Sequence, residues 1–125
     1  MGDGSAPVPL TAFQSRLARL LSVNRSPDSY LAGGAALHLE PNTTRYSNDL
    51  DYFHDSAERV AKAYREDRQL LLDEGCQVTV DMQQPGFIRA RVEQGKEATK
   101  IEWSHDTAWR FLPTLRHAEV GYQAW

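Results

Sequence analysis

Two aspartates, Asp49 and Asp51, flank one leucine in the segment Asp49-Leu50-Asp51-Tyr52-Phe53. On a β-strand, residues i and i+2 project from the same face. Both carboxylates then point together while Leu50 points into a core. Like charges held that close resist joint ionisation. A divalent cation removes the conflict, and Mg²⁺ favours carboxylate oxygens combined with substrate phosphates. Two such ions can clamp the nucleophile and the leaving group of a phosphoryl transfer. A third acid, Glu102, lies in Thr99-Lys100-Ile101-Glu102-Trp103. Alternation puts Lys100 and Glu102 on one face and Ile101 and Trp103 on the other. If this strand lies beside the Asp49–Phe53 strand, Glu102 completes an acidic triad and Lys100 stands near phosphate oxygens. The same patterns also fit an acidic strand end in water and an ordinary half-exposed strand.

A further feature precedes the acids. Tyr30-Leu31-Ala32 reads as a short buried strand, Gly33-Gly34 follows, and Ala35–Leu39 reads as a short helix stopped by Pro41 and Asn42. Glycine permits a sharp turn and close approach of a ligand to the backbone. The helix start directs free N–H groups and a positive dipole end at that spot, which suits nucleotide phosphates. Gly-Gly between a strand and a helix also serves as a plain packing turn.

The elements that must position these residues follow from periodicity. Residues 1–9 hold two Gly, two Pro and a Ser and read as a flexible arm. Residues 10–125 then form a single core domain. Phe13, Leu17, Leu20 and Leu21 recur at helical spacing behind a Thr11 N-cap. The clearest element is a helix over residues 57–74, with Ser56 as N-cap and Gly75 as C′ residue. It carries Val60, Ala63, Tyr64, Leu71 and Leu72 on one side. Its other, solvated side carries Glu58, Lys62, Arg65, Glu66, Asp67 and Arg68. Three strands are expected over residues 76–82, 87–93 and 98–104, with turns at Pro85-Gly86 and Gln94-Gly95. Residues 106–125 give no clear pattern. One long crossover helix followed by hairpins implies an α/β (α+β) fold, a mixed β-sheet with helices packed on it.

Composition agrees with a globular domain. Of 125 residues, 41% are hydrophobic and 25% charged, which is too apolar for a disordered chain. No apolar run reaches the length of a membrane-spanning helix, so no membrane contact is expected. Met1–Pro9 has neither a basic region nor an apolar stretch of secretory type. The single cysteine, Cys76, excludes an internal disulfide and a Cys-rich zinc site, and a cytoplasmic location follows most simply. The net charge of −3 divides into −4 over residues 1–84 and +1 over residues 85–125. Contact with nucleic acid therefore needs a local basic patch.

Three motifs in order, GGAALHL, TRYSNDLDYF and TKIEW, resemble the nucleotidyltransferase superfamily of polymerase-β-like fold. They are most similar to the AbiEii/AbiGii-type nucleotidyltransferase toxins. The resemblance runs from about Leu10 to the C-terminus. It implies an enzyme with a nucleotidyltransferase-like core that moves NMP from an NTP to a hydroxyl, with RNA or a tRNA end as acceptor. It also implies a toxin component of a toxin–antitoxin or phage-defence system, with a cognate antitoxin as partner. Under it Gly33 and Gly34 hold the triphosphate, and Asp49, Asp51 and Glu102 are the catalytic Mg²⁺ ligands. Glu102 acts on a metal or as base toward the acceptor hydroxyl. Arg45 and Ser47 steady the phosphates or the loop, and Lys100 contacts phosphate. Family members continue into a helical domain with further Lys, Arg and Asp residues, and this chain is expected to lack it. The same core also fits a catalytically silent nucleotide-binding module or an aminoglycoside-type transferase.

The remaining reactive residues read more plainly. His38, His54, His105 and His117 show no metal-ligand spacing. His54 is expected at the surface or behind the site. Cys76 is expected to be buried, without a base. Trp103 is expected in the core, whereas Trp109 and Trp125 can stack on a base and Arg110 sits as a rim arginine.

Overall fold

A computed structural model of the chain describes residues 10–31, 49–105, 114–117 and 121–124. The expected arm over 1–9, the helix Ala35–Leu39, and Gly33, Gly34, His38, Arg45, Ser47, Trp109, Arg110 and Trp125 lie outside them.

Helix α1, Ala12–Leu21, begins as expected at Thr11. The Thr11 hydroxyl accepts from the Gln14 N–H at 3.0 Å, and the Gln14 side-chain oxygen accepts from the Thr11 N–H at 2.8 Å. This reciprocal pair satisfies two N–H groups that a helix start leaves open. Phe13, Leu17, Ala18 and Leu21 form its buried stripe. A short 3-10 turn, Ser22–Asn24, leads to strand β1, Ser29–Leu31. Strand β2, Asp49–His54, alternates half-buried and buried residues along its whole length. Helix α2, Ala57–Asp73, starts where the Ser56 hydroxyl accepts from the Arg59 N–H at 3.1 Å. Strands β3 (Gln77–Gln84), β4 (Phe87–Gln94) and β5 (Glu97–His105) follow as a meander, and β6 (Thr114–His117) and β7 (Gly121–Ala124) close the described chain.

The described strands form one seven-stranded sheet in the order β3-β4-β5-β2-β1-β7-β6. β2 runs parallel to β5 and antiparallel to β1, and β1 runs parallel to β7. The fold is therefore α+β, with a mixed sheet and helices packed on it. Among the described residues α1 and α2 pack on one face. There Leu50, Tyr52, Ile88, Ala90, Val92, Ile101 and Trp103 meet Leu17, Leu21, Val60, Ala63 and Leu71. Trp103 is fully buried as expected, and its ring meets Tyr64 edge-on at 5.1 Å. Gln14 also crosses to β5, donating to the Thr99 hydroxyl at 3.0 Å.

Several sequence expectations need correction. Asp67 does not belong to the solvated face of α2; it is fully buried. It accepts from Arg25 Nη2 at 2.7 and 2.8 Å, from Trp103 Nε1 at 2.8 Å and from Asn24 Nδ2 at 2.9 Å. The Arg25 guanidinium lies over the Tyr52 ring, 4.2 Å from its centroid. Leu72 is 37% exposed, because the buried stripe runs through Val60, Ala63, Asp67 and Leu71. Cys76 precedes β3 rather than opening it. The second hairpin turns at Gly95-Lys96, not Gln94-Gly95, since Gln94 pairs with Glu97. Gly95 has φ of 63°. A turn with positive φ at its first central residue needs glycine there, which sets the register one residue later. Strand β3 carries a bulge between Val80 and Met82 that no sequence pattern announced. His54 is not at the surface; it is fully buried. It shares the helix-covered face with Leu50 and Tyr52.

Candidate metal centre

The parallel pairing of β2 with β5 builds the site. Asp49 stands opposite Lys100, and Asp51 opposite Glu102. Alternation sends all four to the sheet face away from α1 and α2, while their neighbours Leu50, Tyr52, Ile101 and Trp103 fill the core. Each acid offers one carboxylate oxygen to a group whose atoms lie within 4.8 Å of one another. Asp49, Asp51 and Glu102 are thus brought together from two segments far apart in sequence, by the strand adjacency on which the triad was conditional.

The electrostatics of this cluster are strained. Burial, then the charges of Glu102 and Asp49, push Asp51 up to about 6. Burial and the Asp49 charge raise Glu102 as well. Arg89 pulls against them, a hydrogen bond with Asp49 adds to the rise, and Lys100 pulls the other way. Asp51 Oδ1 is buried and has no hydrogen-bond partner among the described residues. An orphaned carboxylate oxygen beside two further acids matches the donor set of a hard divalent cation such as Mg²⁺. The residues present fit that ion.

The adjacent strand β4 adds two arginines that sequence reasoning missed. Arg89 stands opposite Glu102 and Arg91 opposite Lys100. Arg89 Nη1 donates to Glu102 at 3.4 Å, and Arg89 Nε donates to Asp81 at 3.2 Å. The signal was available. Phe87-Ile88-Arg89-Ala90-Arg91-Val92 alternates, and a hairpin must lay β4 against β5. Asp49, Arg89, Arg91, Ala98, Thr99 and Lys100 line a cleft of about 450 Å³.

Beneath the site, Tyr52 pairs with Trp103 in the register step next to Asp51 and Glu102. The Asp67–Arg25 cluster grips both of these residues from the helix side. His54 is held there too. The Ser104 carbonyl can only accept, so His54 Nδ1 carries a proton and donates to it at 3.1 Å. Neutral Nε2 then accepts from the Ser29 hydroxyl at 3.0 Å. Burial depresses His54 to about 3. Cys76 is buried and its thiol is pushed up by desolvation, the opposite of what a nucleophile needs. Among the described residues, no helix is long and apolar enough to cross a membrane.

No family model and no curated protein match the chain. The crystal structure of JHP933 from Helicobacter pylori is similar, with a TM-score of 0.50 and 18% identity. The match covers 94% of this chain and 54% of that one, so the chain spans about half the length of JHP933. At that identity the likeness concerns the fold alone.

Proposed function

We propose that this chain is a Mg²⁺-dependent nucleotidyltransferase that moves NMP from an NTP to a hydroxyl acceptor. The observation that carries the reading is the β2–β5 register, which gathers Asp49, Asp51 and Glu102 around one point. The α+β fold and the motif resemblance support it.

Asp49 and Asp51 would hold the ion, and Glu102 would be a third ligand or the base toward the acceptor hydroxyl. Bound Mg²⁺ supplies charge neutralisation at the α-phosphate and polarisation of the attacking oxygen. As base, Glu102 takes the proton of the acceptor hydroxyl. The acceptor oxygen bonds to the α-phosphorus. The bond from that phosphorus to the oxygen bridging to the β-phosphate breaks, and pyrophosphate leaves with the electron pair. Lys100, beside Asp49, offsets phosphate charge. The resemblance assigns Gly33, Gly34, Arg45 and Ser47 to the phosphates, an RNA end to the acceptor, and a toxin role with a cognate antitoxin.

The test is transfer of labelled nucleotide to bulk RNA in Mg²⁺, comparing wild type with the Asp49→Ala/Asp51→Ala variant. Transfer by wild type and none by the variant is expected. Equal signal from both removes the proposed chemistry. Stabilisation by Mg²⁺ and NTP without any transfer assigns the chain to nucleotide binding instead.

A further inference from the structure

The cleft beside the acids has a polarity of its own. Across the sheet, Arg91, Lys100 and Asp49 form one row, and Arg89, Glu102 and Asp51 form the next. Arg89 and Arg91 on β4 and Lys100 on β5 therefore lie to one side of Asp49 and Asp51 on β2, with Glu102 between Arg89 and Asp51. Arg91 and Lys100 stand directly opposite each other in an antiparallel pair, an arrangement that is destabilising without an anion between them. The Arg91 side chain is 54% exposed, and its ion pair with Glu93 at 3.1 Å is a surface contact that an anionic ligand can displace. Arg89 reaches Glu102 at 3.4 Å, linking the basic strip to the acid that faces the acceptor hydroxyl. Among the described residues, the lining holds no aromatic ring, and its apolar side chain is the small Ala98. These described residues can grip phosphates and offer no platform for a base.

The strand order fixes which strands flank the acids of β2. β1 lies on one side of β2, and β5 and β4 lie on the other. β1 ends at Leu31, opposite Tyr52 and next to Asp51 in the register. β1, which precedes in sequence the residues that the resemblance assigns to the triphosphate, lies on the side of β2 away from the cleft. We propose that the cleft of Arg91, Lys100 and Arg89 is the acceptor track, which binds the phosphodiester backbone of a single-stranded polynucleotide without reading its bases. This rests on the nucleotidyltransferase reading and names the second substrate's subsite. A strand lying on Arg91 and Lys100 brings its terminal hydroxyl to Glu102.

The experiment measures binding of a short fluorescein-labelled single-stranded RNA by anisotropy, in EDTA, without nucleotide, across a salt series. Arg91→Ala is expected to weaken binding about tenfold and to lower the salt slope by about 0.7, the share of one phosphate contact on a single strand. Arg91→Lys is expected to stay within about threefold of wild type, since a point charge suffices for backbone contact. The melting shift produced by Mg²⁺ and NTP is expected to be unchanged in Arg91→Ala. Absent RNA binding by wild type overturns the proposal, as does an unchanged affinity in Arg91→Ala. Loss of the NTP shift together with RNA binding also overturns it, and assigns the cleft to the nucleotide. The Asp49→Ala/Asp51→Ala variant separates the two readings. It is expected to bind RNA at least as well as wild type, so a failure of transfer leaves the binding result standing on its own.

Discussion

At the scale of single residues, the site is governed by which groups hold protons. Asp51 at about 6 must lose its proton before its carboxylate can ligate a cation. With a pKa near 6, its ionised fraction falls about tenfold between pH 7 and pH 5. The apparent Kd for Mn²⁺, used as a probe, is therefore expected to weaken about tenfold over that span. A titration giving the same Kd at both values refutes the role of Asp51 as ligand. His54 works in the opposite sense and on stability. Its folded pKa of about 3 lies below the unfolded value of 6.5. Between them the unfolded chain binds more protons, so stability falls as pH drops through that window. In His54→Leu this part of the acid sensitivity is expected to vanish, although the variant starts from a lower melting temperature because Ser29 and the Ser104 carbonyl lose their partner. A pH–stability slope identical to wild type places the acid sensitivity elsewhere. Residue spacing made Asp49, Asp51, Lys100 and Glu102 readable in the sequence, because alternation alone decides which face each takes. Asp67 was not readable. A charge on a helix reads as solvated until its partners are known, and Arg25 lies 42 residues earlier in the chain.

At the scale of elements, the two acid-bearing strands are locked from below. Asp67 on α2 holds Arg25 and the Trp103 indole, and Arg25 covers Tyr52. Tyr52 and Trp103 are the register partners that alternate with the acids. Removing the Asp67 carboxylate strands a buried guanidinium, since both side chains of the pair are 0% exposed. Asp67→Ala is expected to cost about 3–5 kcal/mol, read from chemical denaturation. It is also expected to weaken Mn²⁺ binding, because β2 loses its tether to β5. Paired replacement, Arg25→Met with Asp67→Leu, is expected to recover most of the stability. A loss below about 1 kcal/mol in Asp67→Ala sinks the idea that this pair fixes the register. The elements themselves were largely legible. Thr11, Ser56 and Gly75 punctuated α1 and α2, and Pro85-Gly86 gave the first hairpin. What escaped was non-local. The β3 bulge depends on how an edge strand meets its neighbour. The pairing of β7 with β1 joins residues more than 90 positions apart, and no periodicity in residues 106–125 signals it.

At the scale of the whole molecule, the described sheet divides its labour between two faces. The face under α1 and α2 supplies the core and tolerates the buried Arg25–Asp67 ion pair. The other face gathers three carboxylates that have no stabilising reason to be together. That arrangement exacts a stability penalty whenever no cation is bound. The pH dependence gives the penalty a sign. Asp51 keeps its proton up to about 6 in the folded protein, against 3.8 in the unfolded chain. Across that window the folded state holds more protons, so this group's contribution falls as pH rises and is fully unfavourable above about 6. Asn and Gln cannot ionise. The variant Asp49→Asn/Asp51→Asn/Glu102→Gln is therefore expected to melt higher than wild type at neutral pH, by about 3 °C or more, with the gap closing near pH 4. Adding MgCl₂ is expected to raise wild type toward the variant and to leave the variant unmoved. A variant less stable than wild type at pH 7 without metal shows that the three acids support the fold. They would then be structural, and the cation site would have no claim on them.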